Sequence, residues 1–277
     1  MHQHLIASFK EAILSSNYHF DSLAMEIFQF QAEYNSVYSK YLATLGVQSK
    51  NISSVQEIPF LPIEFYKSHT VQTTDFTPDK IYKSSGTGES GRSRHYMHDN
   101  SFYLQHAQRV FEAYYGSLSE YSLAAILPSY QQQGDSSLIA MTDYFIEKTN
   151  DPNAGYYLAK AEELTNMSAL CRKQGRKLLI IGVTYALLEI ARTPVNLEGH
   201  VIMETGGMKG RGKELVRQEL HTILCNAFNV DQIHSEYGMT ELTSQAYAKE
   251  LGVFHLPKSM KVLIRDINDP FYYLSND

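Results

Sequence analysis

At 277 residues the chain has room for one large domain or two modest ones, and 43% apolar with 19% charged residues is ordinary globular composition. A formal net charge of −6 with no long basic run excludes binding along a nucleic-acid backbone, which needs a stripe of cations to displace counterions. The two cysteines, Cys171 and Cys225, stand at no metal-ligand spacing and exclude a disulfide framework.

The chain opens MHQHLIASFKEAIL, without the basic start or apolar core of a leader, and no apolar run is long enough to span a bilayer; a reducing cytoplasm is the expected location. Leu23, Ile27, Phe30, Tyr34, Tyr38 and Tyr41 recur at steps of three and four, which predicts an N-terminal helical region with one apolar face. In QEIPFLPIEFYKSHTV, Pro59 and Pro62 forbid a regular helix. From about residue 120 strands and helices alternate. LAAIL (123–127) predicts a strand, SSLIAMTDYFI (136–146) and YLAKAEELTNMSALCRKQ (157–174) helices, and KLLIIG (177–182) a fully buried strand. TYALLEIAR (184–192) predicts a helix capped by Thr184, HVIMETGG (200–207) a strand ending in glycines, and KELVRQELHTILCNAF (213–228) a helix. QIHSEYG (232–238) and KVLIRDI (261–267) are further strand candidates, the latter followed by a turn signal at Asn268, Asp269 and Pro270. This alternation predicts an α/β fold with a largely parallel sheet, and such sheets bind ligands at the carboxyl ends of their strands.

Two stretches carry candidate chemistry. SSGTGESGRSRH (84–95) is dense in glycine, hydroxyl and arginine. Glycines let backbone N–H groups close on an anion, hydroxyls add donors, and Arg92 and Arg94 neutralise phosphate oxygens; the alternative is a flexible surface loop. Gly86 to Ser93 also fits a Walker A loop except that Arg92 replaces its lysine, and that reading requires a strand before and a helix after. HSEYGMTEL (234–242) places Tyr237 to stack on a base, Thr240 to donate to a phosphate oxygen and Glu241 to hold Mg²⁺. Elsewhere, His95 and His98 are spaced to share a helix face, and with His106 suit hydrogen bonding better than zinc; Cys171 and Cys225 read as small hydrophobes in helices, and KGRGK (209–213) as a solvated turn.

Taken together, the hydroxyl-rich glycine loop, METGG (203–207) and the Y-G-x-T-E strand end come in the order and spacing of the adenylate-forming superfamily. More closely, the chain resembles the LuxE-type acyl-protein synthetases and is similar to the phenylacetate–CoA ligase branch. EIPFLPIEFYKS (57–68), ILPSYQQQGDSSLIAM (126–141), IGVTYALLE (181–189), ETGGMKGRGKELVRQELH (204–221) and EYGMTELTSQAY (236–247) carry that resemblance, which covers nearly the whole chain.

The resemblance implies an adenylate-forming N-terminal domain over 1–277, with 1–75 a helical lead-in and 76–277 a nucleotide- and acyl-binding core. It implies ATP and Mg²⁺ as the groups bound, and a carboxylic acid, fatty or aryl, activated as its acyl-adenylate and passed to a carrier, a protein or coenzyme A. Ser84, Ser85, Gly86, Thr87 and Gly88 would hold the β- and γ-phosphates; Gly206 and Gly207 would lie along the adenine, and Tyr237, with Gly238 and Met239 beside it, would pack on its ring. Thr240 would contact the α-phosphate and Glu241 would bind Mg²⁺; with Thr87 and Arg92 these form the expected catalytic set. Tyr130, Gly182, Val183, Thr184 and Tyr185 would border the acyl pocket. The loop departs from the family's T-T-G-x-x-K, since Thr87 is followed directly by Gly88 and Arg92 stands at the lysine. The family's ribose-binding Asp and mobile C-terminal domain with its catalytic Lys are absent, so the reading expects a C-terminal truncation or a separate C-terminal partner. Two rivals of other classes are a P-loop NTPase and a non-catalytic nucleotide- or acyl-binding module.

Overall fold

The computed structural model describes residues 2–85, 91–128, 134–206, 215–269 and 272–274. Two compact units result, one of Met1–His106 with Pro257–Asp277, the other of Ala107–Leu256. The first unit thus holds the N-terminal helices together with later segments. Its helices hold the following segments directly: Lys10 pairs with Asp99 at 2.8 Å, Lys261 with Asp21 at 2.9 Å, and Leu263 packs on the helical core.

In the first unit, α1 (His2–Ser15), α2 (Phe20–Tyr34) and α3 (Ser36–Thr44) precede a four-residue helix, α4 (Phe65–Ser68). The expected single apolar face is broken. Asn35 is extended (φ −103°, ψ 105°), and its side chain accepts from the N–H groups of Val37 and Tyr38, starting a new helix. The face that packs is consequently shared: Phe28 and Ala32 from α2 meet Tyr38 and Leu42 from α3, closed by Val55 and Ile58. As the two prolines dictate, no long helix spans 56–71. An antiparallel hairpin follows, β1 (Lys80–Lys83) against β2 (Arg94–Met97), with Tyr82 wholly buried. Then α5 (Asn100–Tyr115) begins.

KVLIRDI is not a sheet strand, correcting the expectation for 261–267. Among the described residues it makes only an antiparallel bridge, Arg265 to Tyr273, in the first unit. A buried parallel strand must cover both faces, whereas Val262, Ile264 and Ile267 stand exposed. The turn after it does form: Asp266 Oδ1 accepts from the N–H groups of Asn268 (2.7 Å) and Asp269 (3.1 Å). His95 and His98 share no helix face either, because His95 lies on β2 and His98 just past its end.

The second unit is an α/β layer structure. In chain order come β3 (Tyr121–Ile126), α6 (Ser137–Thr149), β4 (Gly155–Tyr156), α7 (Ala161–Gln174), β5 (Lys177–Val183), α8 (Thr184–Ile190), β6 (Val201–Thr205), α9 (Arg217–Phe228), β7 (His234–Tyr237) and β8 (Ala246–Ala248). The sheet order is β4-β3-β5-β6-β7-β8, parallel except for β8. All six residues of β3 are buried, as are Leu178–Val183 of β5, so both strands read as unbroken apolar runs. Thr184 is the first residue of α8 and not its cap. Val183 takes the cap position, and the Thr184 hydroxyl is turned instead to Glu204.

Candidate functional site

The order of the parallel strands marks the switch point, where sheets of this kind commonly bind ligands. From β3 the chain crosses to β4 on one side and then returns to β5 on the other, so β3 and β5 are neighbours whose onward connections leave in opposite directions. At such a switch point the loops diverge and leave a crevice beyond the carboxyl ends. There Ile126 faces Gly182 in register. Gly182 is required for packing: a Cβ on it would lie 2.6 Å from Leu187 Cδ2, so its absence lets α8 settle on the end of β5. Gly182, Val183 and Thr184 are buried and Tyr185 is half-buried; Tyr130 lies outside the described residues.

The next two strands end alike, with E-x-G. At the end of β6, Glu204 and Thr205 point to opposite faces of the sheet. Glu204 is buried, receives the Thr184 hydroxyl (3.3 Å), and has Arg217 Nε at 3.7 Å and His221 Nε2 at 3.9 Å from its Oε1. Burial opposes its ionisation, but His221, Ser235 and Arg217 outweigh that and hold the carboxyl below the usual range. On the other face, Thr205 Oγ1 donates to Glu236 Oε2 of β7 at 2.5 Å. Burial, with the Glu204 charge adding to it against the Thr205 hydroxyl, pushes Glu236 up to about 7. Two neighbouring carboxyls are thus driven apart, one ionised and one holding its proton near neutrality, an arrangement frequent at functional sites.

Gly206 follows β6 with φ +75°, a conformation that favours glycine; Gly207 lies outside the described residues. At the end of β7, the Tyr237 side chain is 43% exposed, its hydroxyl 3.3 Å from Met239 Sδ and its ring edge-on to Phe254 at 6.0 Å. Gly238 gives room to Glu236, whose Oε1 would be 2.5 Å from a Cβ there. The chain then turns, with Leu242 N–H donating to the Met239 carbonyl at 3.1 Å and half-buried Thr240 and Glu241 at the tip. The second unit thereby gathers at its strand ends Gly206, Tyr237, Gly238, Met239, Thr240 and Glu241 of the expected set.

Ser84, Ser85 and Arg92 belong to the first unit, in the loop of the β1–β2 hairpin. Ser84 and Ser93 close that loop: Ser84 N–H donates to the Ser93 carbonyl (3.1 Å), and Ser93 N–H to Ser84 Oγ (3.0 Å). Arg92 Nε donates to the Ser84 carbonyl, and its guanidinium reaches the Lys83 carbonyl at 3.4 Å. Gly86, Thr87 and Gly88 lie outside the described residues, as does 209–213. Because a strand and not a helix follows the loop, it lacks the helix N-terminus that a Walker A loop opens onto.

Glu204 and Glu236, with Arg217 and His221 around the former, are the site residues that sequence reasoning left unassigned. The repeated E-x-G at the ends of two successive strands was the available signal. The histidines take local partners: His98 packs on Phe76, and His106 Nε2 bonds Ser259 Oγ at 2.9 Å. Cys171 is buried and Cys225 half-buried, and burial pushes both thiols up. No family model matches the chain, and no curated protein matches it.

Proposed function

We propose that the chain is the nucleotide-binding part of an ATP-dependent acid ligase that forms an acyl-adenylate and passes the acyl group to a protein, a carrier or coenzyme A. The observation that carries the reading is the exposed Tyr237 ring at the end of a parallel strand, beside Gly238 and directly before the Thr240–Glu241 turn. An exposed aromatic face next to clustered donors suits a flat base with a charged tail.

In the proposed reaction the acid needs no activation by a base, because carboxylates are ionised at neutral pH. A carboxylate oxygen attacks the α-phosphorus, the bond to the bridging oxygen breaks, and pyrophosphate leaves with the electron pair. The protein's work is alignment and charge stabilisation. Thr240 donates to the α-phosphate. Glu241 fits Mg²⁺, which is commonly held by one or two carboxylates together with substrate phosphates, and it forms no ion pair among the described residues. Roles for Ser84, Ser85, Gly86, Thr87, Gly88 and Arg92 on the triphosphate, for Gly207 at the adenine, and for Tyr130 and Gly182–Tyr185 at the acid, rest on the sequence alone. The test is carboxylate-dependent exchange of labelled pyrophosphate into ATP over a panel of aryl and fatty acids. Exchange that requires both acid and Mg²⁺ supports the reading; ATP binding without exchange for any acid rejects it.

A further inference from the structure

The first unit holds a cavity of about 590 Å³ that the nucleotide reading does not use. Leu23, Ile27 and Phe28 of α2, Tyr38 of α3, and Val55 and Ile58 line it, so most of its wall is hydrocarbon or ring. Three of its polar wall groups already have partners. The Tyr38 hydroxyl donates to the Pro59 carbonyl at 3.0 Å, the Asn35 oxygen accepts from two backbone N–H groups while its nitrogen donates to Thr73, and Ser259 bonds His106.

One side differs. Lys261, Leu263 and Arg265 line the cavity at alternate positions, Leu263 half-buried and the two cations also exposed to solvent. Two cations therefore lie at one side of an apolar chamber. Lys261 is bound to Asp21 at 2.9 Å, whereas Arg265 meets no carboxylate among the described residues. Small-molecule sites commonly occupy 300–1,000 Å³, mostly apolar with a few placed polar groups.

We propose that this cavity binds a long-chain monocarboxylate, its hydrocarbon along the α2–α3 wall and its carboxylate at Arg265 and Lys261. An aryl acid would leave much of the chamber unfilled, and a neutral hydrocarbon would make no use of the cations. Its lining belongs to the first unit and the strand-end residues assigned to nucleotide and acid to the second, and its occupancy requires no ATP.

Calorimetric titration of the full chain with saturated n-alkanoates from octanoate to hexadecanoate, without nucleotide, is the decisive experiment. The expected result is one site per chain whose affinity rises about fourfold per methylene until the cavity is full. Ala24→Phe, on the same wall, should weaken binding at least tenfold with the melting temperature retained. Arg265→Gln should weaken the alkanoate several-fold and leave its methyl ester unaffected. No saturable binding at any length, or affinity flat with length, overturns the proposal; the length series on the unaltered protein decides it should Ala24→Phe not fold. A methyl ester bound as tightly as the acid overturns the assigned role of Arg265 and Lys261. Alkanoate binding with no pyrophosphate exchange rejects the ligase reading alone and leaves this site standing.

Discussion

Glu236 and Gly238 show how one residue's chemistry depends on another's missing side chain. A Cβ at 238 would lie 2.5 Å from Glu236 Oε1, so the glycine leaves room for that carboxyl, whose other oxygen accepts from the Thr205 hydroxyl. A carboxyl whose folded pKa is raised to about 7 binds a proton that the unfolded chain has already lost, so it contributes stability in full below its unfolded pKa, and that contribution disappears as pH rises toward 7. His234 acts oppositely over part of this range: burial lowers it to about 4, and stability falls as pH drops through the ordinary histidine range. The comparison must therefore be differential. Glu236→Gln, which keeps shape and removes ionisation, should match the parent near pH 5 and exceed it by on the order of 1–3 kcal/mol near pH 8, measured by urea denaturation at both. An equal difference at both values would mean that Glu236 is ionised throughout. Beside it, Tyr237→Ala should weaken ATP by about 1–3 kcal/mol, the usual worth of an aromatic ring stacked on a base, with the melting temperature little changed; unchanged affinity by calorimetry would remove Tyr237 from the nucleotide site.

At the scale of the element, Asn35 decides that one apolar stripe becomes two helices. Its side-chain oxygen satisfies two N–H groups that open α3, and the residue is itself buried. Asn35→Ala should cost about 1–2 kcal/mol in urea denaturation, while Asn35→Asp should recover most of it; equal losses would assign the effect to packing against Thr73. The sequence pattern displayed the apolar period here but not the break, because a cap is a matter of one side chain and periodicity averages over many. The buried parallel strands β3 and β5 are plain as short apolar runs and β6 as one that closes on Glu204, Thr205 and Gly206, with helical patterns between them. By contrast, β4 and β8 are two and three residues long and carry no periodic signal at all. KVLIRDI was over-read because its alternation fits a strand equally well whether a sheet is present to receive it or, as here, only a single bridge forms. At the site, Gly206, Tyr237 and Gly238 were legible from their spacing. Glu204 and Glu236 were not, since what distinguishes them is the tertiary company of Arg217, His221 and Thr205.

For the whole molecule the net charge is −6, and the carboxyls of Glu204 and Glu241 lie at or just past the ends of two neighbouring strands. A polyanion approaching such a chain meets an unfavourable field unless a cation accompanies it. Binding of ATP should accordingly depend on Mg²⁺ far more than in a protein whose site is lined by lysines. With Mg²⁺ and free ATP at about a hundred times its dissociation constant, binding stabilises the folded chain by about 2.7 kcal/mol, a rise in melting temperature of roughly 5–10 °C. Chelation with EDTA should abolish most of that rise. Glu241→Gln should leave the apo melting temperature unchanged and displace the Mg²⁺ titration of the ATP-induced rise to higher concentration, because one of the metal's oxygen ligands then lacks its charge. The same titration separates charge neutralisation from coordination. If Ca²⁺ at equal concentration produces the full rise, and Glu241→Gln shifts neither curve, the cation acts only through the field of the whole molecule and Glu241 has no place in a metal site.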